Sequence, residues 1–240
     1  MMKRKTFDII YVFVIMVAMS TVIMTSATVQ AQTADTLRHE VLLETDMGSI
    51  RIALYNETPL HRDNFIKLVK QGFYDGLLFH RVMQRFMVQT GDSASRHAQP
   101  GQVLGMTAKG EKIPAEIRYP RLFHKRGAVA AAREGDNTNP ERASSATQFY
   151  IVYGRRFNDT MLDDEQLKLN RITNGQVKLT PEVREAYKST GGTPHLDGQY
   201  TVFGEVVEGL DVVDKIQWVE TDKNGRPLND IRIIKATIVK

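Results

Sequence analysis

LFHRVMQRFMVQTGD, residues 78–92, sets arginine and glutamine side chains among large apolar residues in and around two short strands. His80, Arg81, Gln89 and Asp92 are polar, whereas Phe79, Phe86 and Met87 are not. The segments 78–82 and 87–91 bracket Arg85 and carry bulky side chains suited to a pleated, half-buried surface. A cation then sits beside an apolar patch. That combination suits a site that holds an uncharged, partly apolar group and places one hydrogen-bond donor against it.

Outward from this stretch the chain reads mainly as β. Segments 41–44 and 49–54 form a hairpin through Met47-Gly48, with Ile50, Ile52 and Leu54 alternating against Arg51 and Ala53. Thr58-Pro59 offers an N-cap followed by proline at the first helical position, and Phe65, Leu68 and Val69 recur at helical spacing before Gly72. A helix over 59–71 follows. Further strands are expected at 128–132, 148–152, 201–206 and 231–239, with a second helix over 209–217 carrying Val212, Val213 and Ile216. Many short strands and two core helices favour a closed β-barrel over a layered α/β sheet. Residues 155–193 break the rhythm. Within them 159–170 and 180–188 read as helices, the second capped by Thr180 with Pro181 in its first turn, so the segment is a helical excursion from the β-domain.

The N-terminus has the layout of a secretory signal: Lys3, Arg4 and Lys5, an apolar run from Ile9 to Met24, then Val29-Gln30-Ala31. Cleavage is expected after Ala31, with 32–38 as a flexible lead-in to one domain over 39–240. The rival reading keeps 9–29 as an uncleaved inner-membrane anchor, since that span is just long enough for a bilayer core of about 30 Å. Removal of residues 1–31 leaves 209 of 240 residues and takes away three cations and Asp8, so the formal charge falls from +4 to +2. A balance this small gives little support for nucleic-acid binding. The chain has no cysteine, which excludes disulfides, catalytic thiols, thiolate metal sites and a lipid-modified cysteine at the cut.

Other chemistries find no constellation. Among His39, His61, His80, His97, His124 and His195 no two lie three or four residues apart, the separation that puts two ligands on one helix face. Ser144-Ser145 lacks the strand-turn-helix elbow of a serine nucleophile, and no glycine-rich phosphate loop occurs.

Phe79-His80-Arg81, Phe86-Met87, Gln89 and Gly91-Asp92 resemble the central signature of the cyclophilin family of peptidyl-prolyl cis-trans isomerases. A second block agrees, Phe123-His124 through Gly127, Ala131-Ala132 and Gln148-Phe149-Tyr150-Ile151. A third is Leu196-Asp197-Gly198, Tyr200 and Val202-Phe203-Gly204. The resemblance implies an eight-stranded antiparallel barrel capped by two helices. It implies that Arg81 is the catalytic arginine, that Gln89 positions it and contacts the substrate backbone, and that Phe86, Met87, Tyr150 and Leu196 form a proline pocket. His80, Ala132, Arg133, Gln148 and Phe203 then line or support the groove, position 133 mainly through its backbone, and Tyr200 takes a rim position where many members carry histidine. Tyr150 stands where phenylalanine is usual, so its added hydroxyl needs water or a partner if buried. His195 stands where ciclosporin-sensitive relatives carry tryptophan, which implies weak ciclosporin binding.

The expected activity is rotation of X-Pro bonds without metal or cofactor. Its partners are proline-containing peptides and unfolded or nascent exported proteins, met by a monomer in the periplasm or cell envelope. A second reading is a peptide-binding module or chaperone with little turnover, and a third, a metal- or serine-dependent hydrolase, lacks its residues. The excursion over 155–193 begins just after Tyr150 and ends just before His195 and Leu196. It is therefore expected either to wall one side of the groove or to pack elsewhere as a surface elaboration.

Overall fold

The computed structural model describes residues 38–107 and 109–240; the leader, the cut after Ala31 and the lead-in up to residue 37 lie outside the described residues. Eight strands form one antiparallel sheet: β1 (Glu40–Thr45), β2 (Gly48–Leu54), β3 (Arg81–Met83), β4 (Met87–Thr90), β5 (Ala128–Ala131), β6 (Phe149–Val152), β7 (Val202–Glu208) and β8 (Ile233–Ile238). Their order is β3-β4-β6-β5-β7-β2-β1-β8. The terminal strands β3 and β8 do not pair directly. The sheet curls until the residues just before each of them meet: Phe79 donates to Ile231 O at 2.9 Å and Ile233 to Leu77 O at 2.8 Å. The stretch expected as one strand over 78–82 thus serves two partners. Residues 77–79 close the barrel, and Arg81–Met83 pairs with β4.

Inside the barrel lie Val41, Leu43, Ile50, Ile52, Val88, Val129 and Ile151, all at 0 % exposure. Helix α1 (Pro59–Lys70) covers β7 and β8 and drives Phe65 into this core. Phe65 meets Tyr74 and Phe149 at ring centroids 5.1 Å away and Phe203 at 5.4 Å. The Phe65 and Phe149 rings are nearly perpendicular, the edge-to-face arrangement that aromatic quadrupoles favour. Thr58 occupies the N-cap position but its side chain caps nothing. The free N–H groups of the first turn are instead taken by Glu116, which accepts from Leu60 N at 3.2 Å and His61 N at 3.0 Å. A buried carboxylate 55 residues away in sequence supplies the cap expected from Thr58.

The excursion is built as two helices, α2 (Asp159–Ile172) and α3 (Pro181–Ser189). Asn158 caps the first by accepting from Met161 N at 2.9 Å, and Thr180 caps the second by accepting from Val183 N at 3.4 Å. They share an apolar cluster of their own, with Phe157, Leu162, Leu169, Val177, Leu179, Val183 and Tyr187. The ends of the excursion meet each other: Gly192 N donates to Arg155 O at 3.0 Å and Arg126 N to Gly191 O at 2.8 Å. The last helix, α4 (Leu210–Gln217), packs on β2, β3 and β4 and buries Val212, Val213 and Ile216. Among the described residues no helix is long and apolar enough to cross a membrane.

Candidate active site

Strand register places the functional side chains. Arg81 on β3 faces Gln89 on β4, Gln89 faces Tyr150 on β6, and Tyr150 faces Ala130 on β5. Directly opposed residues share a face of the sheet, so Arg81, Gln89 and Tyr150 form a row across it. Two residues along, Met83, Met87 and Val152 form a second row on the same face. Their neighbours Val82, Val88 and Ile151 point the other way, into the barrel core. The alternation in residues 81–89 thus sets polar and apolar site residues on the outer face.

That face carries a second apolar cluster, with Met87, Ala130, Tyr150, Val152 and Val202 buried and Phe86, Ala132, Leu196 and Tyr200 packed against it. A cleft of about 320 Å³ opens over it, lined by His80, Arg81, Phe86, Met87, Gln89, Ala132, Arg133, Tyr150, Leu196 and Tyr200. The volume sits at the lower end of the range for small-molecule and peptide pockets. Arg81 Nη1 donates to Gln89 Oε1 at 3.1 Å and its Nη2 to Met83 Sδ at 3.0 Å. Gln89 Nε2 donates in turn to Gln148 Oε1 at 3.0 Å, and Gln148 Nε2 to the carbonyls of Gly105 and Thr107 at 3.1 and 3.2 Å. The guanidinium is therefore held at the end of a chain of amides anchored in backbone. Partial burial lowers the Arg81 pKa from its ordinary value, yet an arginine keeps its charge near neutral pH.

His80 lies beneath Arg81 at 3 % exposure, and burial pushes its pKa down to about 4, with the adjacent Arg81 charge acting in the same direction. It is a neutral support for the site. Burial drives the Tyr150 phenol well above its usual range, and its hydroxyl finds a partner in His124 Nε2 at 3.0 Å. Arg133 is spent structurally. Its Nε donates to Gln199 O at 2.8 Å, Nη1 pairs with Asp136 at 2.6 Å, and the guanidinium lies 4.4 Å from the Tyr200 ring.

Three expected residues stand back from the cleft. Gln148 acts behind Gln89 as described. His195 is exposed on a 3₁₀ turn (Pro194–Leu196) and leans on Phe86 with ring centroids 5.3 Å apart, bracing the pocket wall. Phe203 does not line the groove: Val202 takes the pocket side of β7, so Phe203 faces the core against Phe65 and Phe149. Sequence reasoning missed two lining segments. One is Gln102 to Met106, the other Asp222, Asn224 and Arg226. The Arg226 guanidinium joins them by donating to the carbonyls of Gln99 and Gln102 at 2.8 and 3.0 Å while pairing with Asp230 at 2.8 Å. Nothing local in the sequence reveals that Gly225 O accepts from Val82 N at 2.7 Å beside Arg81.

Comparison with known proteins gives one answer. The family described as cyclophilin type peptidyl-prolyl cis-trans isomerase/CLD matches residues 40–238. The chain is 32 % identical over 203 residues to a peptidyl-prolyl cis-trans isomerase-like 1 of Aspergillus fumigatus, covering 84 % of this chain and 96 % of that protein. It is 32 % identical over 200 residues to the human peptidyl-prolyl cis-trans isomerase-like 3, covering 82 % and 94 %. Among solved structures, a cyclophilin type isomerase of Cryptosporidium parvum superposes with a TM-score of 0.62 at 21 % identity, covering 85 % of this chain and 99 % of that one. The same protein studied in the presence of the dipeptide Ala-Pro gives 0.60, again at 21 % identity, covering 84 % of this chain and 99 % of that one. With an eight-stranded antiparallel fold, a matching family over nearly all described residues and relatives above 30 % identity along more than nine-tenths of their length, the chain belongs to the cyclophilin type peptidyl-prolyl cis-trans isomerases.

Proposed function

We propose that Arg81 and Gln89 catalyse rotation of X-Pro bonds in exported proteins as they fold. The observation that carries this reading is the row Arg81, Gln89, Tyr150 beside the apolar floor of Met87 and Leu196. An X-Pro bond resists rotation by about 18 to 20 kcal/mol because the nitrogen lone pair is delocalised into the carbonyl. In the twisted transition state that pair localises on the prolyl nitrogen. A guanidinium aimed at the nitrogen then binds the transition state better than the planar ground state, which is the kind of binding that accelerates a step. Held through Gln89 and Gln148, the Arg81 donors need little reorganisation at that moment. Met87, Phe86, Tyr150 and Leu196 grip the ring while Gln89 and groove backbone hold the flanking chain, so that one side turns against the other.

The placement of clients rests on sequence: the basic, apolar and small-residue order of residues 3–31 directs the chain to the periplasm or cell envelope, where it acts as a monomer. N-terminal sequencing of the exported protein distinguishes cleavage after Ala31 from an anchor retained at 9–29. For the reaction itself, Arg81→Ala is expected to lower kcat/KM on a proline-containing peptide at least about tenfold, roughly 1.4 kcal/mol, with the circular dichroism of the fold unchanged. Unaltered turnover in a protease-coupled assay removes Arg81 from the mechanism. Prevention of aggregation without any isomerisation by the intact protein favours the binding-module reading instead.

A further inference from the structure

The pocket residue Tyr150 is tied to the excursion by a chain of buried hydrogen bonds. Its hydroxyl lies 3.0 Å from His124 Nε2, and His124 Nδ1 lies 3.0 Å from Asp197 Oδ1. The other carboxylate oxygen, Asp197 Oδ2, accepts from the hydroxyl of Tyr187 on α3 at 2.7 Å. Tyr150 is 5 % exposed, His124 1 %, and Asp197 and Tyr187 0 %, so water does not compete for these bonds. A carboxylate accepts only, so Asp197 takes Nδ1–H of His124, leaving the Nε2 lone pair to accept from the Tyr150 hydroxyl.

The same aspartate adjoins a second pocket wall. It follows Leu196 on the 3₁₀ turn and also accepts from His124 N at 2.9 Å. The excursion presses on this segment elsewhere too. A Cβ at Gly198 would run into Val177 Cγ2, and a Cβ at Gly192 would run into His124 O, so only glycine lets the excursion sit this close. Thr193 N donates to His124 O at 2.9 Å, fixing the return of the chain against the same histidine.

We propose that Tyr187 is a positioning residue for the proline pocket, acting through Asp197 and His124 on the ring of Tyr150 and the neighbouring Leu196. This rests on the reading that the pocket grips proline, and it gives the excursion a specific task. Without the Tyr187 hydroxyl, Asp197 Oδ2 loses its donor, and the carboxylate that orients His124 is held only through Oδ1. The Tyr150 ring then samples more than one setting, which weakens the grip on the prolyl ring more than it disturbs Arg81.

A double-mutant cycle with Tyr187→Phe and Tyr150→Phe tests this, read out as Kd for a proline-containing peptide by calorimetry, as KM and kcat, and as the imidazole ¹⁵N shifts of His124. The expected result is a Kd and KM raised about fivefold by Tyr187→Phe, the scale of one buried hydrogen bond, with kcat changed less than twofold. The His124 shifts move, and in the Tyr150→Phe background the added effect of Tyr187→Phe falls below half. Unmoved His124 shifts, or additive losses in Kd, overturn the proposal and leave Tyr187 as a fastening for α3 alone. Because peptide affinity is read without turnover, failure of the isomerase reading shows as absent kcat in the intact protein with the coupling still present. If Tyr187→Phe does not fold, Tyr187→Met, which also removes the hydroxyl while filling the apolar site, takes its place in the cycle, with the same two outcomes.

Discussion

Arg81 and His80 are adjacent in sequence yet experience opposite conditions. Arg81 reaches a cleft and donates to the Gln89 amide oxygen, which Gln148 holds in place, while His80 is buried beside it and stays neutral. The pKa of His80 falls from 6.5 to about 4 in the folded chain, so the unfolded chain takes up a proton first as pH drops. The stabilising contribution is therefore fully present above pH 6.5 and is lost progressively between 6.5 and about 4, up to about 3 kcal/mol. His61, whose pKa burial also lowers, adds in the same direction. Denaturant titrations at pH 7 and 4.5 are expected to show a larger loss for the native sequence than for His80→Gln. Parallel losses would remove His80 as the cause. At this scale Arg81, Phe86, Met87, Gln89 and Tyr150 were legible through the family resemblance, and for all but the turn residue Phe86 strand register supplies the physical reason they share a face. The position of Phe203 was not legible, because the face each β7 residue takes depends on how that strand registers against β2 and β5, including its bulges.

At the scale of elements, helix α1 illustrates how a local signal found the element and misjudged its fastening. Thr58-Pro59 marks the start correctly, since proline at the first helical position needs no donor. The Thr58 hydroxyl, however, donates back to Tyr55 O at 3.4 Å, and the cap comes from Glu116. No pattern within residues 58–71 could disclose a partner so remote. Glu116 also meets His61 Nδ1 at 2.7 Å, so one carboxylate, itself 4 % exposed, serves three contacts. Glu116→Ala is expected to destabilise by about 2 to 4 kcal/mol because it strands those partners, whereas Thr58→Ala costs about 1 kcal/mol or less. Urea unfolding of both variants decides between them. The reverse ranking would restore Thr58 as the cap. Strand ends tell a similar story: β4 stops at Thr90 because Gly91 takes a φ of +97° and packs where a Cβ would meet Thr147 O.

For the whole molecule, the barrel was legible because the β1–β2 hairpin and both capping helices carry their own periodicity and the remaining strands read as short apolar runs, while part of the cleft comes from loop segments with no such pattern. The lining segments 102–106 and 222–226 are tied together by Arg226, whose guanidinium donates to the carbonyls of Gln99 and Gln102, an interaction that hydrophobic pattern does not encode. The excursion stands between these cases, since its helices were readable and its bond to the pocket was not. Its geometry makes a clean removal feasible: Arg155 and Gly192 are already hydrogen-bonded to each other, so a turn of about four residues in place of 158–190 can join the ends without stretching the barrel. Its separate apolar cluster means the barrel core survives, but Tyr119 and Phe123, packed on that cluster, become exposed and Asp197 loses Tyr187. The shortened protein is expected to keep its β circular dichroism, to melt several degrees lower, and to bind a proline-containing peptide at least as weakly as Tyr187→Phe does. Peptide affinity and turnover equal to those of the full chain, on both a short peptide and an unfolded protein, would reduce the excursion to a surface elaboration. A loss confined to the unfolded protein would move its role from the pocket to the outer groove.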